Sequence, residues 1–185
     1  MNRFVCIFFI LLILAVTVNA QVRLSIHGAS VVPTGSFQDA VEVGYGGNIT
    51  ISYLPFNPYI ELSLSSGYYF CGYKKDLPDY NVAYTTIPLL AGIRLNFTDF
   101  DFIPYIGLDA GIYFPRYDIE VDYGLLGKNA YTTYDRDPGI VPYAGFRMNL
   151  VSNLDMDVNA KYNRINTKYI ARSFLLIQTG FAYRF

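Results

Sequence analysis

The most constraining feature of this sequence is a strict alternation of apolar and polar residues, repeated in one segment after another. In the last segment, residues 173–185, apolar side chains stand two positions apart and small or polar residues fill the positions between. One face carries Leu175, Ile177, Thr179, Phe181, Tyr183 and Phe185, and the other carries Gln178, Gly180, Ala182 and Arg184. Successive side chains of a β-strand point to opposite faces, so the pattern predicts a strand whose two faces meet different surroundings.

The same period of two recurs in seven earlier segments, and we find no helical period after residue 20. These segments are residues 22–31, 43–54, 59–73, 87–97, 103–114, 141–150 and 154–163. The short links are 55–58, 98–102 and 151–153, and the longer ones are 32–40, 74–81 and 118–138, with a shorter one near 168–172. The sequence therefore predicts an all-β fold, an eight-stranded antiparallel up-and-down barrel, which closes on itself and leaves no free edge.

The first twenty residues have a different pattern, which is typical of a secretory signal peptide. Arg3 precedes an apolar run over 4–18, and small or modest residues lead up to Ala20, where we expect cleavage. The run has about 15 residues, fewer than the roughly 20 that a membrane-spanning helix needs. We therefore expect a cleavable signal over 1–20 and one barrel domain over 21–185, in which Cys71 is the only thiol.

Composition excludes several classes of protein. Charged residues make up 16% and aromatic residues 17% of the chain, whereas disordered chains are rich in charge and poor in aromatics. The formal net charge of −1 gives no cationic excess for binding nucleic acid. Two cysteines in 185 residues exclude a disulfide scaffold, and no metal-binding or phosphate-binding motif predicts a cofactor.

Alternation alone does not say which face of the barrel points inward, so a soluble ligand-binding barrel competes with a transmembrane one. The polar face is rich in Gly, Ala, Ser and Asn, which suit the narrow interior of eight strands better than a solvated surface. The apolar face runs for about ten residues per strand, the length that crosses a bilayer when tilted. These two features favour the transmembrane barrel.

Aromatic residues collect near the strand ends, as in the girdles of membrane barrels. Tyr53, Phe97, Phe100, Phe102 and Phe185 lie toward the short links, and Tyr68, Phe70, Phe114, Tyr117, Tyr162 and Phe174 lie toward the long links. We expect both groups to meet the membrane–water interfaces.

The last strand, with Phe181, Tyr183 and the final Phe185 on one face, resembles the C-terminal signature of bacterial outer-membrane proteins. In length and strand number, residues 21–185 resemble the barrel domain of the small OmpA/OmpX-type outer-membrane proteins. The resemblance implies a Gram-negative outer membrane, an assembly machinery that reads the last strand, periplasmic short turns and extracellular long loops. Lipids of the outer membrane would surround the barrel.

Charged residues on the polar face are predicted to meet inside the barrel. They are Arg23, His27, Glu61, Arg94, Asp109, Arg147, Asp155, Asp157, Lys161 and Arg184. Buried charges cost several kcal/mol each unless they are paired, and both signs are present, so we predict a polar network that plugs the lumen. A narrow gated pore or a small-ligand site is the alternative.

The longest link is the expected working surface, since function concentrates on loops held by a rigid scaffold. Its candidate residues are Asp118, Glu120, Asp122, Tyr123, Tyr131, Tyr134, Asp135 and Asp137. We predict a structural or surface-interaction role, of the adhesion type, with a host or cell-surface ligand as partner. A lipid-acting enzyme is a further alternative, because Ser25 and His27 share a strand face, but no catalytic motif surrounds them, so we predict no enzyme.

Overall fold

The computed structural model describes residues 21–55, 57–73, 80–122, 128–167 and 172–185. The predicted signal segment, residues 1–20, lies outside these ranges. The strands are β1 (Gln21–Thr34), β2 (Gly44–Leu54), β3 (Ile60–Gly72), β4 (Tyr80–Asn96), β5 (Phe102–Asp122), β6 (Lys128–Tyr134), β7 (Asp137–Val151), β8 (Leu154–Ile165) and β9 (Arg172–Arg184). A short 3-10 turn, Gly35–Asp39, follows β1.

Eight of these strands form a closed antiparallel barrel. Each strand pairs with its neighbour along the chain, except that β5 pairs with β7 as well as β4. Closure comes from β1 and β9, where Arg23 stands opposite Arg184 and Thr34 opposite Ser173. The predicted eight-stranded up-and-down barrel is thereby confirmed.

The apolar face of the strands points away from the barrel axis. Ile177 and Phe181 are 53% and 56% exposed, while their neighbour Gln178 is fully buried. Other large apolar side chains on the outer face are Ile26, Ile49, Ile51, Leu62, Leu64, Leu89, Ile93, Leu108, Ile112 and Ile140. This orientation is the one a bilayer requires, because lipid is the solvent that accepts an apolar wall.

The predicted long link 118–138 is wrong in one respect. Its first residues continue β5 to Asp122, and Lys128–Tyr134 form β6, which pairs back on β5 from Arg116↔Tyr134 to Asp122↔Lys128. Above the membrane both faces of a strand meet water, so the apolar–polar alternation that marks the other strands is lost there. Cross-strand pairing of β-prone Tyr and Thr residues holds this hairpin instead.

Two of the aromatic residues predicted for the girdle near the long links point into the barrel. Phe174 is fully buried inside the barrel, and Tyr117 packs partly buried against the same interior cluster. The reason is strand parity: Phe174 shares its face with the inward Leu176 and Gln178, and Tyr117 shares its face with the inward Tyr113. Phe70, Phe114 and Tyr162 do lie on the outer face.

Candidate functional site

Glu61 on β3 is the centre of the charged interior, and three arginines from three other strands converge on it. Arg23 Nη1 lies 2.9 Å from Glu61 Oε2, Arg147 Nη1 lies 3.3 Å from the same oxygen, and Arg94 Nη1 lies 3.4 Å from Oε1. All four side chains are buried. Because β1, β3, β4 and β7 each supply one member, this cluster ties opposite walls of the barrel together.

Asp157 on β8 forms a second centre. Its carboxylate accepts a 2.6 Å hydrogen bond from the Tyr105 hydroxyl and another from Arg147 Nε at 3.2 Å. Asn159 Nδ2 donates to it at 3.0 Å, and His27 Nε2 lies 3.3 Å from Oδ1. Arg147 therefore bridges the two centres.

Three further ion pairs extend the network. Arg184 Nη2 lies 3.2 Å from Asp155 Oδ1, near the end of the barrel that carries the short links, and Arg23 Nη2 lies 3.6 Å from Asp155 Oδ2. Toward the middle of the barrel, Lys161 Nζ lies 2.9 Å from Asp109 Oδ2.

The structure places every charged residue of the predicted lumen set on the inward face. Nine of the ten are buried and Arg184, at the rim, is half-buried. Each of the four carboxylates lies within 4.0 Å of a cation. Aromatic rings also stabilise these cations, because the Arg94 guanidinium lies 4.1 Å from the centroid of the Tyr105 ring and Lys161 Nζ lies 4.6 Å from that of the Tyr143 ring.

A glycine makes room for one of these rings. Gly107 on β5 stands opposite Tyr143 on β7, and a Cβ added at Gly107 would lie 2.2 Å from a carbon of the Tyr143 ring. Only a residue without a side chain lets this ring cross the lumen at that height.

The half of the barrel interior that lies toward the long links is apolar and aromatic, a feature that the sequence analysis did not predict. We call it the outer apolar cluster, formed by Val31, Phe37, Val41, Tyr69, Cys71, Tyr84, Leu90, Tyr113, Val141, Ile165, Phe174 and Leu176. The Phe174 ring lies 6.3 Å from Tyr69 and 6.5 Å from Tyr113, between centroids. The available signal was the position of these tyrosines on the inward face of their strands.

The hydroxyl groups of two tyrosines connect the outer apolar cluster to the charged half of the interior. The Tyr113 hydroxyl donates to Asn163 Oδ1 at 2.6 Å, and Gln178 Nε2 donates to the Tyr69 hydroxyl at 3.2 Å. Each tyrosine thus keeps its ring among apolar neighbours and its hydroxyl among polar ones.

Ser25 and His27 do not form a hydrogen-bonded pair in this structure. Both side chains are buried, and among the described residues no hydrogen bond joins the serine hydroxyl to the imidazole. His27 instead faces Asp157 within the network.

The hairpin of β5 and β6 carries the predicted surface residues. Asp118 accepts hydrogen bonds from Arg116 Nε at 2.9 Å and from the Thr132 hydroxyl at 2.8 Å, which hold the pKa of Asp118 below its ordinary value. Tyr131 and Tyr134 are exposed. Tyr123 lies outside the described residues, as do the side chains of Glu120 and Asp122.

Asp135 and Asp137 end the hairpin where the chain enters β7. Asp135 is exposed, whereas Asp137 is mostly buried and lies 3.8 Å from Arg172. Burial raises the pKa of Asp137, and the neighbouring Asp135 adds to this effect.

The C-terminal residues lie on the outer face at the end of the barrel that carries the short links. Phe181, Tyr183 and Phe185 are exposed, and the rings of Tyr183 and Phe185 stack edge to face at 5.0 Å. Among the described residues, no group of three His, Cys, Asp or Glu side chains is placed to hold a metal ion. Within the same ranges, no helix is long and apolar enough to cross a membrane.

Comparison with solved structures defines the class of fold. Neisserial surface protein A is 18% identical, covers 91% of this chain and all of its own, and superposes with a TM-score of 0.63. OprG from Pseudomonas aeruginosa is 16% identical, covers 90% of this chain and 96% of its own, with a TM-score of 0.60. Ail of Yersinia pestis, in complex with a heparin analogue, is 15% identical, covers 90% and 97%, with a TM-score of 0.57.

The chain therefore has the fold of the small eight-stranded outer-membrane β-barrels. No family model matches the sequence, and no curated protein matches it either. At these identities the similarity defines the fold, so function must be argued from the residues of this chain.

Proposed function

We propose that this protein is an outer-membrane barrel that presents a rigid extracellular sheet for contact with another surface. In this proposal residues 1–20 direct export and are removed, and the assembly machinery reads Phe181, Tyr183 and Phe185. The membrane lies against the apolar outer wall. The hairpin of β5 and β6 stands above it as the interacting element.

The observation that carries the proposal is the pairing of β6. It is the last strand in the order of the sheet and, among the described residues, pairs only with β5. An unpaired strand edge is a template for another extended chain, and natural proteins usually cover or blunt such edges. Here the edge is presented by a strand that stands on a closed barrel.

The hydrogen-bond alternation identifies which groups of β6 face outward. The Asp135 N–H donates to the Pro115 carbonyl at 3.2 Å, so Thr133 and Tyr131, two and four residues earlier, also pair toward β5. The N–H groups of Thr132 and Tyr134 then point to the open edge. The exposed rings of Tyr131 and Tyr134 add contact area for an extended segment of a partner protein.

The test uses two substitutions of the same residue. Thr132→Pro removes an outward N–H, whereas Thr132→Ala keeps it, and both remove the side-chain bond to Asp118. Bacteria displaying the wild-type protein or Thr132→Ala should adhere to cultured epithelial cells, and Thr132→Pro should lose most of that adherence. Equal adherence of the two variants, or no adherence above cells lacking the protein, would reject the proposal.

We also infer that the lumen is closed to solutes and that the barrel is not an enzyme. The paired charges and the outer apolar cluster together fill the interior, which in eight strands is just wide enough for side chains. Planar-bilayer recordings of the purified protein should contain no sustained channel events. Stable single-channel steps would favour the gated pore instead.

A further inference from the structure

Phe37 reaches into the barrel from the link between β1 and β2. It is 7% exposed, although it belongs to a five-residue 3-10 turn on the extracellular side. Its ring meets Tyr84 edge to face, with 5.1 Å between the centroids. We propose that Phe37 is a removable stopper over a dead-end binding site, and that the site accepts a small monocyclic aromatic molecule in place of the Phe37 ring.

The walls of the site are aromatic and belong to rigid strands. Tyr84 on β4 contacts Phe37 on one side and stacks on Tyr117 at 5.4 Å on the other. Cys71 stands opposite Tyr84 in the β3–β4 ladder, and both side chains are buried in the outer apolar cluster. Rings that pack edge to face with one phenyl group will pack in the same way with another of equal size.

Local bonding holds the stopper far less firmly than it holds the walls. The turn begins with Thr34, which makes no side-chain cap, and with Gly35 at a φ of +62°. The carbonyl of Phe37 accepts hydrogen bonds from the N–H groups of Ala40 and Val41, both at 3.2 Å. The bonds that anchor the segment lie at its two ends, where Ser173 Oγ donates to the Thr34 carbonyl at 3.4 Å and the Glu42 N–H donates to the Gly72 carbonyl at 2.8 Å. Residues 35–40 between these anchors form a short local unit of the kind that opens without disturbing the barrel.

The floor of the site is closed. Below the cluster, Asn163 and Gln178 bond the hydroxyls of Tyr113 and Tyr69, and beneath them lies the charged network. An aromatic molecule can therefore replace Phe37 but cannot continue toward the periplasm. The site binds from the extracellular side and does not conduct.

The chemistry of the site selects the ligand. The Tyr84 ring that contacts Phe37 and the apolar cluster to which both belong favour an uncharged ring, and the buried Tyr84 hydroxyl suits a single hydroxyl substituent. Benzyl alcohol has this size and polarity and serves as the probe.

The first test uses a tryptophan reporter, because the natural chain contains none. In the full-length protein in phospholipid vesicles, the emission of Phe37→Trp should shift to the red and saturate as benzyl alcohol is added. Its quenching by iodide should rise at least about twofold as the reporter leaves the buried site. Phe100→Trp, whose reporter replaces a residue 78% exposed at the periplasmic end, should respond to neither. An unsaturable response, or equal responses of both variants, would overturn the proposal.

The second test does not depend on the tryptophan. Phe37→Ala should increase the rate of Cys71 labelling by N-ethylmaleimide at least about tenfold over the wild type, because local opening controls access to the thiol. Benzyl alcohol should then protect Cys71 in Phe37→Ala. A Cys71→Ser version of each protein subtracts labelling elsewhere, and heat-modifiable gel migration verifies folding. A folded Phe37→Ala protein with wild-type labelling, or labelling unaffected by benzyl alcohol, would also reject the stopper.

Discussion

The two halves of the barrel interior fill the same narrow space with opposite chemistry. The half toward the short links is filled by ion pairs centred on Glu61 and Asp157, and the half toward the long links by the rings of Tyr69, Tyr84 and Phe174. A charged group inside a protein needs specific partners at specific distances, whereas an apolar ring needs only matching volume. The charged half should therefore be intolerant of change, and the aromatic half should accept replacement by a group of similar shape.

The largest expected effect comes from the centre of the charged half. Glu61→Gln leaves Arg23, Arg94 and Arg147 around a neutral amide and should lower the free energy of unfolding by about 3–5 kcal/mol. Adding Arg23→Met restores the balance of charge and should recover most of the loss, because Asp155, the other partner of Arg23, keeps its ion pair with Arg184. Urea unfolding in detergent micelles measures both. A Glu61→Gln protein as stable as the wild type would remove the basis of the comparison.

A truncation in the aromatic half should cost less and be easier to repair. Phe174→Ala removes a fully buried ring and should lower the free energy of unfolding by about 3 kcal/mol. Phe174→Leu keeps most of the apolar volume and should cost about 1 kcal/mol. The same unfolding assay applies, with the exposed Phe100→Ala as control. Equal losses for the Ala and Leu variants would mean that this half is as specific as the charged one.

The boundary between the halves should respond to a single methyl group. Gly107→Ala places a Cβ against the Tyr143 ring and should cost about 1–3 kcal/mol of unfolding free energy. Gly28→Ala is the matched control, because its Cβ points outward and would meet no atom closer than 4.0 Å. If both variants unfold alike, the Tyr143 ring has room to move and the boundary is soft.

The smallest expected effect lies at the outer rim and depends on pH. Because burial raises the pKa of Asp137, ionising it opposes folding, so Asp137→Asn should stabilise the protein slightly, by less than about 0.5 kcal/mol, at pH 7. The gain should disappear as the pH falls below the ordinary aspartate pKa, where the wild-type carboxyl is protonated in both states. Thermal unfolding at pH 7 and pH 3 measures the difference.

Asp118→Asn is the counterpart with the opposite sign. Its pKa is lowered by its hydrogen bonds with Arg116 and Thr132, so the ionised form favours folding above the ordinary aspartate pKa. This variant should lose stability at pH 7 and none in acid. The same sign for both variants would contradict the pKa directions at the rim.

The strands and their inward and outward faces could be predicted from the sequence wherever the two faces of a strand meet different surroundings. Lipid surrounds the outer face and packed side chains fill the interior, so an outward residue such as Ile177 is apolar and its inward neighbour Gln178 is polar. Above the membrane that contrast vanishes, and β6 was therefore predicted as part of a link. Tyr117 and Phe174 were assigned to the girdle because they lie near strand ends, although the parity of their strands places them on the inward face.

The ion pairs were not predictable in detail for the same reason. Parity placed Glu61 and Arg147 on the inward face, but their meeting depends on the stagger of β3 against β7 across the lumen. Phe37 lies in a link without strand period, so nothing in the sequence marked it as buried.

The seam between β1 and β9 has a consequence for how the molecule is made. Arg23 and Arg184 stand opposite each other although they come from opposite ends of the domain. Closing the seam is therefore the most non-local step of folding, and its entropy cost is met only when both end strands are present. A growing chain therefore cannot close its barrel before its last strand has been made.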